Sequence, residues 1–109
     1  MSNKMIADQL LRKYKSGKRD FRWVDISGVN LSGKNLSGID LSCTYLGRVN
    51  LSKADLSGAS LESADLSGAS LRGADLSNAD LEGAILKNAD LKDANLSNAN
   101  LTGVVGYVQ

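Results

Sequence analysis

Leucine, isoleucine or phenylalanine occupies every fifth position of this 109-residue chain from residue 21 to residue 101. A second register, two residues before each of these centres, holds alanine in ten consecutive repeats from Ala54 to Ala99. Self-similarity at a short fixed period is typical of solenoids, in which each repeat buries its apolar side chains against its neighbours. The periodicity therefore constrains the fold more than any other feature of the sequence.

A period of five fits neither regular secondary structure. Five residues advance an α-helix by about 500°, so successive leucines would lie about 140° apart and form no common face. In a flat β-strand, an odd period would turn every second leucine to the opposite side. A chain that bends once in every five residues avoids both problems, because alanine and leucine two residues apart can then face one axis. We therefore expect a coil whose turns stack.

The three remaining positions of the repeat have the composition of turns. Asp or Asn precedes 13 of the 17 centres, Ser or Thr follows ten of them, and Gly or Asn stands two residues after 11 of them. Asp, Asn and Ser side chains bond to nearby backbone groups, and Gly or Asn accepts the positive φ angle of a type II turn. These residues predict a corner after each centre.

The run from Phe21 to Leu101 resembles the pentapeptide-repeat family, whose repeat reads A(D/N)LXX. The ADLSG segments at 54–58 and 64–68 match that pattern throughout. The resemblance implies an all-β solenoid, a right-handed quadrilateral β-helix with four pentapeptides per coil, so that residues n and n+20 stack. Residues 21–105 would then form about four coils. The segment before them also resembles the lead-in of bacterial, especially cyanobacterial, members.

Residues 1–20 lack the repeat and are predicted to cap the first coil. Four apolar residues fall on one face of a short helix, expected from about residue 3 to residue 15. A solenoid leaves its terminal core face uncovered, so this helix is expected to lie across the first coil, with Phe21 or Trp23 as its contact. The alternative is a basic amphipathic helix that binds a membrane surface or a partner. The four helix residues are Ile6, Leu10, Leu11 and Tyr14.

At the other end, the repeat phase fails at Gly106, and residues 106–109 are predicted to form a C-terminal tail. No helix is expected there to cover the last coil. Either the apolar residues fold over that coil in a monomer, or two molecules abut end to end as a homodimer, as in some members of the family that the chain resembles. These apolar residues are Val104, Val105, Tyr107 and Val108.

Two apolar residues interrupt the polar outer walls. Tyr45 and Ile85 replace Asp or Asn before their centres, in the same column as Val105. Single exposed apolar residues are ordinary, but vertical neighbours such as Ile85 and Val105 could form a small apolar patch. The candidate interaction surface consists of Tyr45, Ile85, Val105, Tyr107 and Val108.

One charged residue, Lys34, falls in the inward register of the first coil. An unpaired buried charge is energetically costly. We therefore expect its amine to leave through the open lower end of the coil or to be covered by a polar cap.

Composition excludes several kinds of site. The chain has 13 basic and 12 acidic residues, no histidine and one cysteine. The small net charge argues against direct nucleic-acid binding. Without histidine or a second cysteine, we expect no metal site, no internal disulfide and no cofactor. The first 20 residues lack the apolar core of a signal peptide and nothing approaches a membrane span, so a soluble cytoplasmic protein without membrane binding is predicted.

Three classes of function compete. An enzyme is disfavoured, because the sequence has no Ser–base pair and no phosphate-binding glycine loop, and Cys43 lacks a histidine partner. A DNA-mimicking protein that interacts with gyrase, a class known in the family that the chain resembles, needs a long and strongly negative rod. Residues 21–109 carry only seven basic and ten acidic side chains. We therefore predict a non-catalytic structural or protein-interaction module with an unidentified protein partner.

Overall fold

The computed structural model describes residues 4–107 and contains one helix, α1, at Ala7–Lys15. Among the described residues, no further helix and no continuous strand follows it. The chain from Asp20 to Val105 instead pairs through single-residue parallel β-bridges. No helix in residues 4–107 has the length and apolar character that crossing a membrane requires.

Within the repeats, each bridge joins two residues that are 20 positions apart, and both stand directly before a leucine-register centre. Two hydrogen bonds hold each step. At the bridge between Asp65 and Ile85, the N–H of Leu66 donates to the carbonyl of Ile85 at 2.8 Å, and the N–H of Ile85 donates to the carbonyl of Ala64 at 2.9 Å. The bridges form four columns, so the chain returns to the same wall after four repeats. Their first members in the repeats are Asp20, Asp25, Asn30 and Asn35.

Every repeat turns at the residue two positions after its centre. That residue has positive φ in all 17 repeats, whether it is a glycine such as Gly58 at 67° or a longer residue such as Lys53 at 59°. The N–H of Ala59 donates across the turn to the carbonyl of Leu56 at 3.0 Å, as a type II turn requires. Asp65 accepts bonds from both the N–H and the hydroxyl of Ser67, at 3.0 and 2.6 Å. The corner chemistry predicted from the sequence is thus present in the structure.

The core is a continuous stack of leucines lined by alanines along the axis of the coil. Within the described residues, every leucine-register side chain from Phe21 to Leu86 is buried. Thr44 is the one buried polar residue of this part of the chain, and its hydroxyl donates to the carbonyl of Leu41. No buried side-chain nitrogen or oxygen in residues 4–107 lacks a partner. In the described residues, the stack therefore combines apolar burial with hydrogen bonding of every buried polar side-chain atom.

Lys34 is exposed, so its inward register does not bury a charge. It belongs to the first repeats, where the other inward minor positions, Val24 and Val29, are only half-buried. The same register becomes fully buried further along, at Ile39 and Val49. Lys34 thus lies where the first coil has no coil beneath it.

Helix α1 begins later than the predicted residue 3. Lys4 forms a parallel bridge with Asp25, and the N–H of Met5 donates to the Asp25 carbonyl at 2.8 Å, so these residues are extended. Ile6 is the residue before the helix, with extended angles of −92° and 163°, and the side chain of Gln9 accepts its N–H at 2.9 Å. The predicted helical position of Ile6 is wrong, because the β-bridge holds the preceding backbone extended.

Candidate interaction surfaces

The described residues offer no arrangement typical of a catalytic or metal site. No group of three potential metal-ligating side chains occurs within residues 4–107. Cys43 is a free, partly exposed thiol at a turn with φ of 58°.

One wall of the coil differs from the other three, and we call it the apolar wall. Its column of bridges runs from Asp25 through Tyr45, Asp65 and Ile85 to Val105. Tyr45 is 60% exposed and Val105 is 53% exposed, while Ile85 is partly buried. Ile85 and Val105 pair directly, as their register predicted. The columns of the other walls contain only Asp, Asn and Ser between residues 20 and 100.

Two exposed apolar residues near the apolar wall were missed as surface candidates. Trp23 is 64% exposed and stands two residues before Asp25, at a corner of this wall. Ile6 is 56% exposed and directly follows Met5, whose N–H donates to Asp25. The sequence signal for Trp23 was its place at a turn position that elsewhere favours Gly or Asn. All four large apolar residues that the described chain exposes therefore lie on this wall or at its edge.

The helix residues divide by their role in covering the first coil. Leu10 is fully buried, whereas Leu11 and Tyr14 are partly buried against the core. The hydroxyl of Tyr14 donates to the carbonyl of Ser37 at 2.6 Å. Ile6 is exposed and does not share this contact face, which corrects its assignment to the cap. Of the two predicted coil contacts, Phe21 is buried and Trp23 is not.

The acidic side chains on the walls are largely committed to turns. The side chain of Arg22 bonds to Asp20 at 3.0 Å and lowers the pKa of that carboxyl to about 2. The backbone N–H and hydroxyl of Ser27 lower the pKa of Asp25, and Lys4 adds a weaker effect from 3.8 Å. The Ser77 hydroxyl and N–H likewise lower the pKa of Asp75. Hydrogen bonds that favour the charged form explain these shifts without any catalytic role.

The C-terminal end of the coil is less complete than the rest. Leu91, Leu96 and Leu101 are only half-buried, and their N–H groups find no acceptor within the described residues. By contrast, the N–H of Leu71, one coil earlier, donates to the carbonyl of Asp90 at 2.8 Å. This end therefore presents both apolar surface and unpaired backbone donors.

The predicted C-terminal residues are distributed around that end. Val104 and Tyr107 pack, partly buried, against the core, and Val105 extends the apolar wall. Gly106 has φ of 80°, and a Cβ there would lie 2.8 Å from the Cα of Lys87. This close approach explains why position 106, the next in the five-residue register after Leu101, is not a leucine. Val108 lies outside the described residues.

One family profile matches most of this chain. The profile described as Pentapeptide repeats matches in eight copies, over residues 20–58 and 64–103. Among the curated proteins, none is significantly similar to this chain. The family match covers most of the coil described above.

Solved structures of cyanobacterial pentapeptide repeat proteins are similar in sequence and in fold. Rfr23 from Cyanothece 51142 is 35% identical with a TM-score of 0.79, and the match covers 93% of this chain and 71% of that one. HetL from Nostoc sp. strain PCC 7120, described as involved in heterocyst differentiation regulation, is 40% identical with a TM-score of 0.79. That match covers 92% of this chain but only 46% of HetL. These closely matching proteins are right-handed quadrilateral β-helices.

Proposed function

This chain belongs to the pentapeptide-repeat family, and on that premise we propose that it is a non-catalytic module that binds a partner protein through its apolar wall. Proteins of this family are generally non-catalytic structural modules. A filled coil suits this role, because its leucine stack leaves the outer walls as the chemically variable surface. A cytoplasmic location, expected from the sequence, remains a prediction.

The proposed scaffold is a coil of slightly more than four turns over residues 21–105, capped by residues 1–20 and followed by a tail at 106–109. The 20-residue spacing of the bridges supports the number of turns. Burial of Leu10 and the bond from Tyr14 to the Ser37 carbonyl support the cap. Such a scaffold holds exposed side chains at fixed separations of about 4.8 Å along each column.

The observation that carries the proposal is the segregation of exposed apolar side chains to one wall. Tyr45 and Val105 lie in its column, and Trp23 and Ile6 lie at its edge. Exposed apolar residues on a single face, with polar residues on the others, are typical of a protein-binding surface. Tyr and Trp are the residue types that most often dominate such interfaces.

The similarity to HetL suggests the kind of process in which such binding would act. HetL is described as involved in the regulation of heterocyst differentiation, and the chain covers less than half of its length. A regulatory protein without a catalytic site acts by contacting other macromolecules. We therefore extend to this chain a role as a binding partner in a regulatory complex, with the partner still to be identified.

The proposal can be tested with a double variant, Tyr45→Asp with Ile85→Asp. Both changes restore the acidic residue that the repeat prefers at this position, so the coil should fold as before. The matched control, Asn50→Asp with Ser70→Asp, adds two carboxylates to a different wall. Proteins captured from the native host by the unchanged chain should be retained by the control and lost from the wall variant. If the wall variant captures the same proteins, the apolar wall is not the binding surface.

The charge distribution does not favour the DNA-mimicking alternative. Residues 53–107 carry eight acidic and four basic side chains, and the segment before the coil is basic rather than acidic. A mimic of duplex DNA needs dense negative charge along its whole length. We expect no inhibition of gyrase supercoiling at high concentrations of this protein, and clear inhibition would reverse this assignment.

A further inference from the structure

The end of helix α1 and the turn after it carry a cluster of basic residues that form no close ion pair within the described residues. All five are exposed, and none lies within 4 Å of a carboxylate oxygen in the described residues. The nearest basic residues on either side, Lys4 and Arg22, do have such carboxylate partners. We call the cluster the cationic end; it consists of Arg12, Lys13, Lys15, Lys18 and Arg19.

Local structure accounts for two of the five cations. Arg19 donates to the Tyr14 carbonyl at 2.8 Å, and its guanidinium lies 3.7 Å from the centre of the Tyr14 ring. The amine of Lys18 lies 5.6 Å from the centre of the Phe21 ring. Cations near a helix C-terminus stabilise it, and Arg19 already supplies this contact. In the described part of the chain, the side chains of Arg12, Lys13 and Lys15 make no hydrogen bond or ion pair.

Charge is unevenly distributed between the two ends of the molecule. Residues 1–20 carry six basic and two acidic side chains, whereas residues 53–107 carry four basic and eight acidic ones. Arg12 and Lys15 are three residues apart on the helix, where like charges repel and lower its stability. A surface that serves only solubility would mix the two signs. The separation instead directs an anionic partner toward one end.

We propose that the cationic end binds an acidic segment of a partner protein. A membrane surface fits less well, because Leu10, Leu11 and Tyr14 pack against the coil and leave the helix no apolar face to insert. A long nucleic-acid duplex would run into the acidic coils above, whereas a short acidic peptide can lie across the end alone. This surface shares no residue with the apolar wall, so the inference does not depend on the proposed function.

The test compares two triple variants with equal changes in charge. Arg12→Gln, Lys13→Gln and Lys15→Gln remove three cations from the cationic end while keeping good helix formers. Lys53→Gln, Lys87→Gln and Lys92→Gln remove three exposed cations from the coil. Binding of a short fluorescent glutamate-rich peptide is measured by anisotropy. A short DNA duplex and vesicles containing phosphatidylserine serve as the other anionic probes.

The unchanged protein should bind the acidic peptide, and raising the salt from about 0.05 to 0.5 M should weaken this binding. The helix variant should bind the peptide about tenfold more weakly, and the coil variant within about twofold of the unchanged protein. Thermal unfolding of the helix variant at low salt should be nearly unchanged, because the loss of favourable charge at the helix C-terminus opposes the relief of like-charge repulsion. Equal weakening by both variants, no peptide binding, or tighter binding of the duplex or the vesicles would overturn the proposal.

Discussion

The two ends of the coil meet the same physical problem in different ways. A stack of repeats leaves an apolar face at each end, and at the N-terminal end Leu10 of helix α1 is fully buried in the same core cluster as Phe21. At the C-terminal end, Leu91, Leu96 and Leu101 remain half-buried and their N–H groups are unpaired within the described residues. The difference shows that regular repeats do not determine how a solenoid ends, because the covering residues come from outside the repeat.

The largest expected difference between the ends concerns their leucines. Leu10→Ala should lower the free energy of unfolding by about 3 kcal/mol, because it opens a cavity between helix α1 and the first coil. Leu96→Ala should cost about 1 kcal/mol, since that side chain is already half-exposed. Urea unfolding followed by circular dichroism measures both. Equal losses would mean that the two ends are equally covered.

Replacing an alanine by leucine should lower stability more in the middle of the stack than at its C-terminal end. Ala74 is buried between stacked repeats, so Ala74→Leu should destabilise the fold by about 2 kcal/mol. Ala99 is half-buried in the last repeats, and Ala99→Leu should change stability by less than about 0.5 kcal/mol. The midpoints of thermal unfolding compare the two. A tolerated leucine at position 74 would contradict the narrow alanine-lined axis.

The half-buried leucines at the C-terminal end predict that two molecules associate there. We expect the half-buried leucines to favour an end-to-end homodimer, while the covered N-terminal end takes no part in it. Analytical ultracentrifugation should therefore show concentration-dependent dimerisation of the unchanged chain and weaker association of Leu96→Asn. If the unchanged chain and Leu96→Asn both sediment as monomers at every concentration, the alternative is favoured, in which Val104 and Tyr107 cover the last coil within one molecule.

A smaller effect than that of Leu10→Ala is expected from the hydrogen bond between helix α1 and the coil. Tyr14→Phe removes the hydroxyl that bonds to the Ser37 carbonyl and should cost about 1 kcal/mol. The ring and its packing remain, so the helix content should not change. Far-ultraviolet circular dichroism with urea unfolding separates these two quantities. A loss as large as that of Leu10→Ala would show that this hydrogen bond, rather than apolar burial, holds the helix.

Much of the coil was predictable because each position of the repeat has one physical task. Leucine fills the axis, Asp65 caps its own turn through Ser67, and the residue two after each centre adopts positive φ. Non-glycine residues such as Lys53 accept that angle at a cost of about 1–2 kcal/mol. The repeat tolerates this cost because the hydrogen bonds above and below each turn impose the same angle everywhere.

The ends were less predictable, because no repeat constrains them. A helical face was assigned to Ile6, but the bridge between Lys4 and Asp25 holds the preceding backbone extended. The exposure of Trp23 was not predicted, because an aromatic residue near a terminal coil equally suits a cap contact, and Phe21 fills that place. Which of two neighbouring aromatic residues is buried depends on the corner geometry rather than on composition.

Hydrogen exchange of individual backbone amides tests the unequal ends most directly, at concentrations where the protein is monomeric. Leu10 is fully buried and its N–H donates to the Ile6 carbonyl at 3.2 Å, so its amide should be strongly protected while helix α1 stays packed on the first coil. The amides of Leu91, Leu96 and Leu101 should exchange many times faster. Exchange at Leu10 as fast as at these three leucines would contradict a coil that is covered at one end and open at the other.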